Sequence, residues 1–438
     1  MQENLYPKVL VISHNAFSNT LNNGKTFSSI FSNWPKEKIA QLFFQNDVPN
    51  FSVCNNFFKI TDDSILRNKK EKIGELVKEN HINTNNLIQG SKNSRIITFI
   101  KHNKWPVFNL LRDILWSLNK WDNQNLHDWL DDFSPDVIFF VGGENTFSYK
   151  IANQIASKFS IPIYLYYTDD YITPVYSLDI FWWINWLRLK GTLKKTLRHV
   201  NKIFVIGDDM GSEYSNKLRK TCITIMNAVD VEKYLSARNS TLEGKNEQTA
   251  IKLAYFGGLH LNRWKSLRKI GNACEHISKV EGVKINLSIY TNQLPSNRIF
   301  KFLENGSSIR YMGSVKENKI IDEMQKYDVL VHVESFDRKM KQKTRLSIST
   351  KIPEYLASGK TILAMGPADI SSIRYLKRLS LCYVIPSRKD INVTEVLQRI
   401  IAELDNSKIE ELGIKIVQEK HSIEQNRQKI RQCLSEVL

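Results

Sequence analysis

Short apolar runs alternate with amphipathic stretches along most of the chain, which is the pattern of βαβ units around a parallel sheet. The runs of the first half read KVLVISH, IAQLFF, RIITFI, DVIFFVGG, IPIYLYYTDD, KIFVIGDD and CITIMNAVD. After a polar stretch at Ser236–Ala250, a second series reads IKLAYFGG, VKINLSIYT, IRYMGSV, DVLVHVES, KTILAMG and LCYVIPS. The sequence therefore predicts an α/β protein with two doubly wound, Rossmann-like domains.

The domain boundaries follow from the break between the two series. We expect an N-terminal domain over residues 1–235, a linker over 236–250 and a C-terminal domain over 251–415. The linker is rich in Ser, Asn, Gly and charge and has no apolar periodicity. Residues 416–438 carry a helical pattern that we expect to cross back to the first domain. Because ligands bind beyond the carboxyl ends of the strands in such sheets, the two domains should face each other across one cleft.

Composition and cysteine usage indicate a folded protein of a reducing compartment. The chain has 438 residues, of which 42% are hydrophobic and 24% charged, and this length suits two domains. Its five cysteines are scattered without a CxxC pair, which argues against a disulfide framework or a zinc site. The opening residues show no basic-then-apolar leader, and the most apolar segment, Ile180–Leu187, is too short to span a bilayer. We therefore expect a cytoplasmic protein.

The formal net charge of +17 at pH 7 indicates an anionic partner. Phosphorylated substrates, an anionic membrane surface and nucleic acid all suit a basic protein. The sequence has no zinc-finger spacing, no RNP-like aromatic strand and no basic heptad region, so we expect no nucleic-acid partner.

The first strand is followed by a stretch that ends like an ATP-binding loop. It reads SHNAFSNTLNNGKT and runs from Ser13 to Thr26. An ATP-binding loop also needs a glycine five positions before the Gly-Lys pair, where this chain has Asn19. The stretch instead predicts a strand–loop–helix unit, whose helix N-terminus attracts anions, or an ordinary polar loop.

Three motifs, in order along the chain, resemble one family. MNAVD (Met226–Asp230) resembles the Asn-Gly-Val-Asp signature that closes a first domain, with Ala228 in place of glycine. YFGGLHLNRWKSL (Tyr255–Leu267) resembles a donor-domain glycine loop, and STKIPEYLASGKTILA (Ser349–Ala364) resembles a nucleotide-sugar helix. Over nearly its whole length the chain is similar to the GT-B glycosyltransferases of family 4, which are retaining enzymes. The resemblance implies a nucleotide-sugar donor, linked to UDP or GDP, and no further cofactor.

The resemblance places a donor site mainly in the second domain. The donor diphosphate must be neutralised as it leaves. Gly257 and Gly258 would let the backbone approach the phosphates. Arg263 stands where the family commonly has a lysine and can fork onto two phosphate oxygens, unless it is a solvated surface charge. The other residues that the resemblance assigns to the donor are Gly24, Lys25, Lys265, Gly313, Val315, Ser349, Thr350, Lys351 and Glu354.

These donor residues have distinct implied roles. Ser349–Lys351 open a helix whose N–H groups and dipole suit the diphosphate. Glu354 is implied to accept hydrogen bonds from the ribose hydroxyls, unless it is only a glutamate favoured by the helix dipole. The Gly313 loop resembles the one that reads the nucleobase. Gly24–Lys25 occupies the place of the first-domain glycine loop that faces the diphosphate.

One position departs from the family pattern. The family's pair of glutamates has seven residues between them, and the position eight before Glu354 is Leu346. The glutamate that faces the donor sugar in relatives is therefore missing from its place. Glu334 and Asp337, which flank the start of the basic run DRKMKQKTRL, are the candidates to replace it.

The resemblance also places acceptor residues in the first domain. Asp169 and Asp170 follow a strand where family members often have a His-Asp pair, so with Arg263 they are our catalytic candidates. The alternative is that the two aspartates only cap the next turn. Glu144 and Asn145, in a loop on the same edge, are the acceptor-binding candidates.

Two segments suit either a protein core or a membrane surface. Residues 62–132 form a predicted helical insertion with the patterns KKEKIGELVKEN and WPVFNLLRDILWSLNKW. The apolar face of the second pattern packs on the sheet, lines an acceptor pocket or contacts a membrane. A tryptophan cluster precedes several cations, an arrangement typical of anionic membrane interfaces or of a core beside a solvated face. Its members are Trp182, Trp183, Trp186, Arg188, Lys190, Lys194, Lys195 and Arg198.

The resemblance implies a glycosyltransferase that moves a sugar, with retention, from a nucleotide sugar to a hydroxyl of a glycan or lipid-linked acceptor. We expect it in bacterial surface polysaccharide assembly, at the inner face of the cytoplasmic membrane, without a metal. The alternatives are an inverting GT-B enzyme with Asp169 or Glu144 as base, and a catalytically silent GT-B partner protein.

Overall fold

The chain divides into two compact units. The computed structural model describes residues 6–18, 22–79, 105–241, 250–292, 294–303 and 308–438. Unit 1 comprises Met1–Ile225 with Arg427–Leu438, and unit 2 comprises Met226–Asn426.

Unit 1 contains an eight-stranded sheet with the order β4-β3-β2-β1-β5-β6-β7-β8. Its strand pairs are parallel except for β3 with β4. The order reverses direction between β1 and β5, and such a reversal is where doubly wound sheets bind ligands. The strands are β1 Val9–Ser13, β2 Ile39–Phe43, β3 Asn56–Lys59, β4 Glu75–Val77, β5 Val137–Val141, β6 Ile163–Tyr167, β7 Val200–Val205 and β8 Cys222–Thr224.

Helices cover the sheet of unit 1. They are α1 Asn22–Phe31, α2 Asp62–Arg67, α3 Pro106–Trp116, α4 Gln124–Phe133, α5 Thr146–Phe159, α6 Ile180–Thr196 and α7 Asp208–Leu218. Phe27, Phe31 and Phe139 form part of the buried core that α1 makes with the sheet. The C-terminal residues join the same core through Leu434, and the Tyr164 hydroxyl donates to the carbonyl of Cys433 over 2.7 Å.

Unit 2 contains a six-stranded parallel sheet with the order β11-β10-β9-β12-β13-β14. In chain order within the unit this is 3-2-1-4-5-6, the order of dinucleotide-binding sheets, with its reversal between β9 and β12. The strands are β9 Ala250–Phe256, β10 Lys284–Tyr290, β11 Ile309–Gly313, β12 Val329–Val333, β13 Thr361–Met365 and β14 Cys382–Ile385.

The remaining helices lie before, between and after the strands of unit 2. They are α8 Val231–Thr241, α9 Arg263–Val280, α10 Asn297–Leu303, α11 Ile320–Gln325, α12 Arg338–Thr344, α13 Lys351–Ser358, α14 Ser371–Leu379, α15 Asp390–Glu403, α16 Ser407–Lys420 and α17 Ile423–Leu434. Residues from Arg427 onward, in α17, already belong to unit 1.

The predicted strands are confirmed wherever the structure describes them, and the α/β class with two parallel-sheet units is confirmed with them. The run RIITFI lies outside the described residues, as do residues 242–249 of the predicted linker. The first part of that linker, from Ser236 to Thr241, belongs to α8. The short strands β3 and β4 were not predicted.

The predicted helix over KKEKIGELVKEN is wrong. Lys70–Lys72 form a single 3₁₀ turn, and Glu75–Val77 form β4, which pairs antiparallel with β3. Gly74 between them has φ +84°, a left-handed conformation that ends any helix. A Cβ at this position would lie 2.3 Å from the Phe58 ring, so glycine also permits the strand to approach.

The second helical pattern is confirmed as α3 up to Trp116, where the helix ends, but its core-facing interpretation is wrong for three positions. Leu111, Ile114 and Leu118 are exposed, whereas Trp116 and Trp121 are buried. None of the helices that the structure describes combines the length and apolarity needed to cross a bilayer.

Candidate functional site

The reversal point of the unit 2 sheet brings together two loops. β9 and β12 are neighbours, with Leu253 opposite Val329 and Ala254 opposite Leu330. At their carboxyl ends β9 continues into Gly257 and β12 into Glu334. The candidate site is built around this edge.

The two glycines after β9 allow the chain to turn tightly at this edge. The Gly257 N–H donates to the carbonyl of Tyr290 over 3.0 Å, and the Tyr255 hydroxyl donates to the carbonyl of Gly258 over 2.8 Å. A Cβ at Gly257 would lie 2.6 Å from the Tyr255 hydroxyl, and one at Gly258 would lie 2.3 Å from Nδ1 of His260. Any side chain would therefore displace an aromatic neighbour. The two glycines therefore let the Tyr255 and His260 rings pack directly against the backbone at the end of the strand.

Arg263 begins α9 and is buried against Glu334, so the interpretation as a solvated surface charge is wrong. Its Nη2 lies 3.1 Å and 3.3 Å from the two carboxylate oxygens of Glu334. Only 17% of the Arg263 side chain and 4% of the Glu334 side chain are exposed. Burial raises the pKa of Glu334, and the Arg263 guanidinium opposes that rise.

The guanidinium keeps hydrogen-bonding capacity beyond the ion pair. Nε of Arg263 is buried and makes no hydrogen bond within the part of the chain that the structure describes. The same holds for Nε2 of His332, which lies 3.6 Å from a Glu334 oxygen. Burial, with the charge of Arg263, lowers the pKa of His332 to about 3, so this histidine is neutral. Glu334 therefore lies between a cation and a neutral ring.

Lys265, the second predicted phosphate cation, has a different environment. Its Nζ lies 2.7 Å from Asp337, which also accepts a 2.6 Å hydrogen bond from the amide of Asn262. Lys265 is half exposed, so this pair is a solvated one. The pKa of Asp337 is lowered, first by the hydrogen bond from Lys265, and desolvation opposes this. The two predicted donor cations thus each have an acidic partner.

The predicted diphosphate helix is α13. Lys351, its first residue, pairs with Glu354 over 2.7 Å, and the Lys351 N–H donates to the Ser349 hydroxyl. The Tyr355 hydroxyl receives the N–H of Phe256 over 3.1 Å, which fixes α13 to the end of β9. The N-terminal turn of α13, from Thr350 onward, is held at the same sheet edge as Gly257.

The predicted nucleobase loop follows β11, two strands from β9. Gly313 has φ +77°, and its carbonyl accepts the N–H of Thr291 over 2.8 Å. Val315 is the second residue after this turn and is partly exposed. Leu346, at the place of the family's first glutamate, is buried as a core residue. Glu334, which directly follows β12, is a buried glutamate at this edge.

The reversal point of the unit 1 sheet carries a histidine that sequence reasoning did not single out. His14 directly follows β1, and its Nε2 lies 3.4 Å from the amide nitrogen of Asn145, which precedes α5. Burial, with the charge of Arg112, lowers the pKa of His14 to about 3, so the ring is neutral. A polar residue directly after the first strand is the signal that could have identified it.

The loop after β5 is shaped by tyrosines. The Tyr149 hydroxyl donates to the carbonyl of Gly143 and lies 3.0 Å from the hydroxyl of Tyr167. A Cβ at Gly142 would lie 2.4 Å from the Tyr167 ring. Glu144, next in the loop, is exposed. Asn145 and Glu144 therefore lie beside His14 at one sheet edge.

The two predicted aspartates after β6 differ in their contacts. Asp170 accepts hydrogen bonds from the N–H groups of Ile172 and Thr173 and from the Tyr214 hydroxyl. It therefore caps the turn, as the alternative interpretation holds. Asp169 is exposed, and its catalytic role stays a prediction.

Gly24 and Lys25 lie within the first turn of α1 rather than in the loop before it. A Cβ at Gly24 would lie 2.3 Å from the carbonyl oxygen of Ala16, so the helix and the loop pack closely here. Lys25 is exposed. Their contact with a diphosphate stays a prediction. Within the described ranges, no group of three or more His, Cys, Asp or Glu side chains is arranged to hold a metal ion.

Several solved structures share this fold, although neither a protein-family profile nor a curated sequence matches the chain. Anabaena HepE in complex with UDP is 11% identical, with a TM-score of 0.62 over 98% of this chain and 100% of that one. A UDP-forming trehalose-phosphate synthase from Burkholderia xenovorans is 11% identical, with a TM-score of 0.62 over 98% and 99%. A glycosyltransferase from Rickettsia africae is 10% identical, with a TM-score of 0.58 over 98% of both chains. At such identities the likeness is one of fold, and the chain has the GT-B fold.

Proposed function

We propose that this protein is a glycosyltransferase that uses a nucleotide sugar and binds its donor in unit 2. The observation that carries the proposal is the reversal edge of the unit 2 sheet. A glycine turn, a largely buried arginine and a helix N-terminus lie together at this edge, in a protein with the GT-B fold. Backbone N–H groups, a guanidinium and a helix dipole are the groups that bind and neutralise a diphosphate.

Different donor residues bind different parts of the nucleotide sugar. The turn at Gly257–Gly258, Arg263 and the first turn of α13 hold the diphosphate. Glu354, which already pairs with Lys351, is the carboxylate for the ribose hydroxyls. The loop after Gly313 contacts the base. UDP is our first choice of nucleotide, since HepE, which has the same fold, has been solved with UDP-glucose.

The reaction needs little from the protein beyond charge stabilisation. The bond between the anomeric carbon and the phosphate oxygen breaks, and the carbon bonds to the acceptor oxygen on the same face. The acceptor proton passes to the departing phosphate oxygen, so no separate base is required. Arg263 and the α13 dipole stabilise the negative charge that develops on the diphosphate. Retention follows from attack on the face that the leaving group vacates.

The acceptor residues belong to unit 1. His14, neutral at pH 7, and Asn145 offer hydrogen bonds to a sugar hydroxyl at the reversal edge, and exposed Asp169 and Glu144 lie after neighbouring strands. We propose a glycan or lipid-linked hydroxyl as acceptor, in surface polysaccharide assembly at the inner face of the cytoplasmic membrane. The net charge of +17 suits such an acceptor.

A panel of nucleotide sugars tests the proposal. We expect a UDP-sugar at about 100 times its Kd to stabilise the protein by about 2.7 kcal/mol. For a chain of 438 residues that unfolds as one unit, this corresponds to a rise in Tm of about 3 °C. Uridine without the diphosphate is the control ligand and should give a much smaller shift. If millimolar UDP- and GDP-sugars leave the Tm unchanged, the proposed donor site is wrong.

Turnover separates the enzyme from its alternatives. Release of UDP from the stabilising donor is expected, and the anomeric configuration of the product distinguishes retention from inversion. Binding without any release of UDP would favour a silent GT-B protein, which buried Leu346 in place of the family glutamate makes the second candidate.

A further inference from the structure

Two helices of unit 1 that pack against each other expose an unusual amount of apolar surface. In α6 the exposed fractions are 67% for Ile180, 37% for Ile184 and 59% for Leu187. In α3, Leu111 and Ile114 are half exposed. The helices are joined by a 2.6 Å hydrogen bond from the amide of Asn185 to the carbonyl of Pro106. We call the exposed faces of α3 and α6 the α3–α6 surface.

The apolar residues of α6 lie on one stripe that points away from the core. Leu189, Leu193 and Thr196 form the buried face of the helix. Ile180, Ile184 and Leu187 recur at spacings of four and three on the exposed face. A helix on the surface of a globular protein normally carries polar residues there. Contiguous exposed apolar surface instead marks a contact with a protein or a membrane.

Cationic residues follow the apolar stripe toward the end of α6. Gly191 and Lys194 follow Leu187 at the same spacing, and a Cβ at Gly191 would meet nothing within 4 Å. Lys190 and Lys195 flank the stripe and are exposed. With a rise of 1.5 Å per residue, Ile180 and Lys194 are about 21 Å apart along the helix. One helix face is therefore apolar at its beginning and cationic at its end.

Tryptophans border the apolar part. The rings of Trp182 and Trp186 are stacked, and the Lys190 ammonium lies 5.1 Å from the centre of the Trp186 ring. The indole N–H of Trp183 donates to the carbonyl of Ser177. Trp183 itself is 39% exposed. Tryptophan beside lysine is the composition of membrane–water interfaces.

We propose that the α3–α6 surface docks on an anionic lipid bilayer. Ile180, Ile184 and Leu187 enter the boundary of the acyl chains, and the lysines at the end of α6 contact the lipid phosphates. The consequence, which rests on the proposed function, is that the acceptor is a lipid-linked glycan presented at that surface. Docking itself is independent of the donor site in unit 2.

Charge reversal tests the electrostatic half of the proposal. The full chain is sedimented with phosphatidylglycerol vesicles and with phosphatidylcholine vesicles at low salt. We expect binding to the anionic vesicles and a loss of about a hundredfold or more in a variant with three lysines changed to glutamate, since each cation contributes about fivefold. The lysines are Lys190, Lys194 and Lys195. The control carries the same change at three exposed lysines of unit 2: Lys389, Lys408 and Lys415.

Two apolar substitutions test the insertion half. Ile180→Asn with Leu187→Asn should weaken vesicle binding by about tenfold or more, because buried aliphatic area is lost. Val280→Asn with Ile391→Asn is the matched control, since those side chains are 69% and 65% exposed in unit 2. The control should bind vesicles like the unchanged protein. All variants should keep their donor binding without vesicles, so a failure here is distinguishable from a failure of the proposed function.

Three results would overturn the proposal. The first is unchanged protein that stays in the supernatant with anionic vesicles at low salt. The second is a control variant that loses as much binding as its test variant. The third is self-association without lipid that disappears in the Ile180 and Leu187 variant, which would make the surface a contact between copies of this chain.

Discussion

A double-mutant cycle on the buried ion pair of unit 2 separates its structural role from its role in donor binding. The variants are Arg263→Met, Glu334→Gln and the two combined. One nitrogen of Arg263 contacts both oxygens of Glu334, which is buried, and the Arg263 side chain is largely buried. Either single change therefore leaves a buried charge without its partner.

The expected magnitudes differ for folding and for binding. Arg263→Met should lower the free energy of unfolding by about 3–5 kcal/mol, because it leaves the buried Glu334 carboxylate without its cation. The double variant should recover much of this loss. For binding, a charge-assisted hydrogen bond to the diphosphate is worth about 1.5–3 kcal/mol. The Kd for UDP should therefore rise roughly 10- to 150-fold in Arg263→Met and by a similar factor in the double variant.

Urea melts and titration calorimetry with UDP provide the two readouts. Lys269→Met is the control, since Lys269 lies on the same helix and forms an ion pair with Asp390 away from the candidate site. It should leave the Kd unchanged. If Arg263→Met binds UDP within about twofold of the unchanged protein, Arg263 is a structural residue and the donor assignment fails.

Three further predictions concern single side chains. If Glu354 binds ribose as proposed, Glu354→Gln should raise the Kd for UDP about tenfold or more but leave inorganic pyrophosphate binding undiminished. Calorimetry with both ligands checks this, and equal weakening of both would contradict it. Asp170→Asn should lower stability by about 1–3 kcal/mol in urea melts, since Asp170 accepts three hydrogen bonds. Asp169→Asn, at an exposed position, should lower the rate of sugar transfer and leave stability unchanged. The reverse pattern would exchange their roles. Burial lowers the pKa of His421 from 6.5 to about 4, so the unfolded chain binds a proton that the folded chain excludes between these values. The contribution of neutral His421 to the free energy of unfolding is thus complete above about pH 6.5 and should fall by about 2 kcal/mol by pH 5. His421→Gln should therefore lose less stability than the unchanged protein between pH 7 and pH 5. An unchanged slope of stability against pH would refute the assignment.

The strands could be predicted from the sequence where an apolar run is long and bounded by polar loops. The run VLVIS of β1 is an example, since all five of its residues are buried. β3 and β4 were not predicted, because they have only four and three residues and show little alternation of apolar and polar positions. The segment around Gly74 was wrongly predicted as a helix, because charged residues at helical spacing also suit a short edge strand.

The loops of the candidate site could be predicted, but their partners could not. Arg263 and Glu334 are 71 residues apart, and their contact depends on β9 and β12 being neighbours. Local sequence does not encode that neighbourhood. It follows from the strand order of the whole unit. His14 was missed for a related reason, since only its nearness to Asn145 distinguishes it from any polar loop residue.

The two cations that we propose for donor binding differ in their surroundings, and this difference predicts different roles. A solvated pair such as Lys265 with Asp337 contributes at most about 1 kcal/mol, and its lysine can exchange partners as an anion arrives. Arg263 is held more firmly, because only 17% of its side chain is exposed and it is ion-paired with buried Glu334. Charge stabilisation of a leaving group is most effective when the donor is already in place and needs no reorganisation. We therefore expect Lys265 to affect the rate at which UDP-sugars associate, with a strong dependence on salt, and Arg263 to affect the bound state and the chemical step. Equal effects of the two residues on association and dissociation rates would contradict this division.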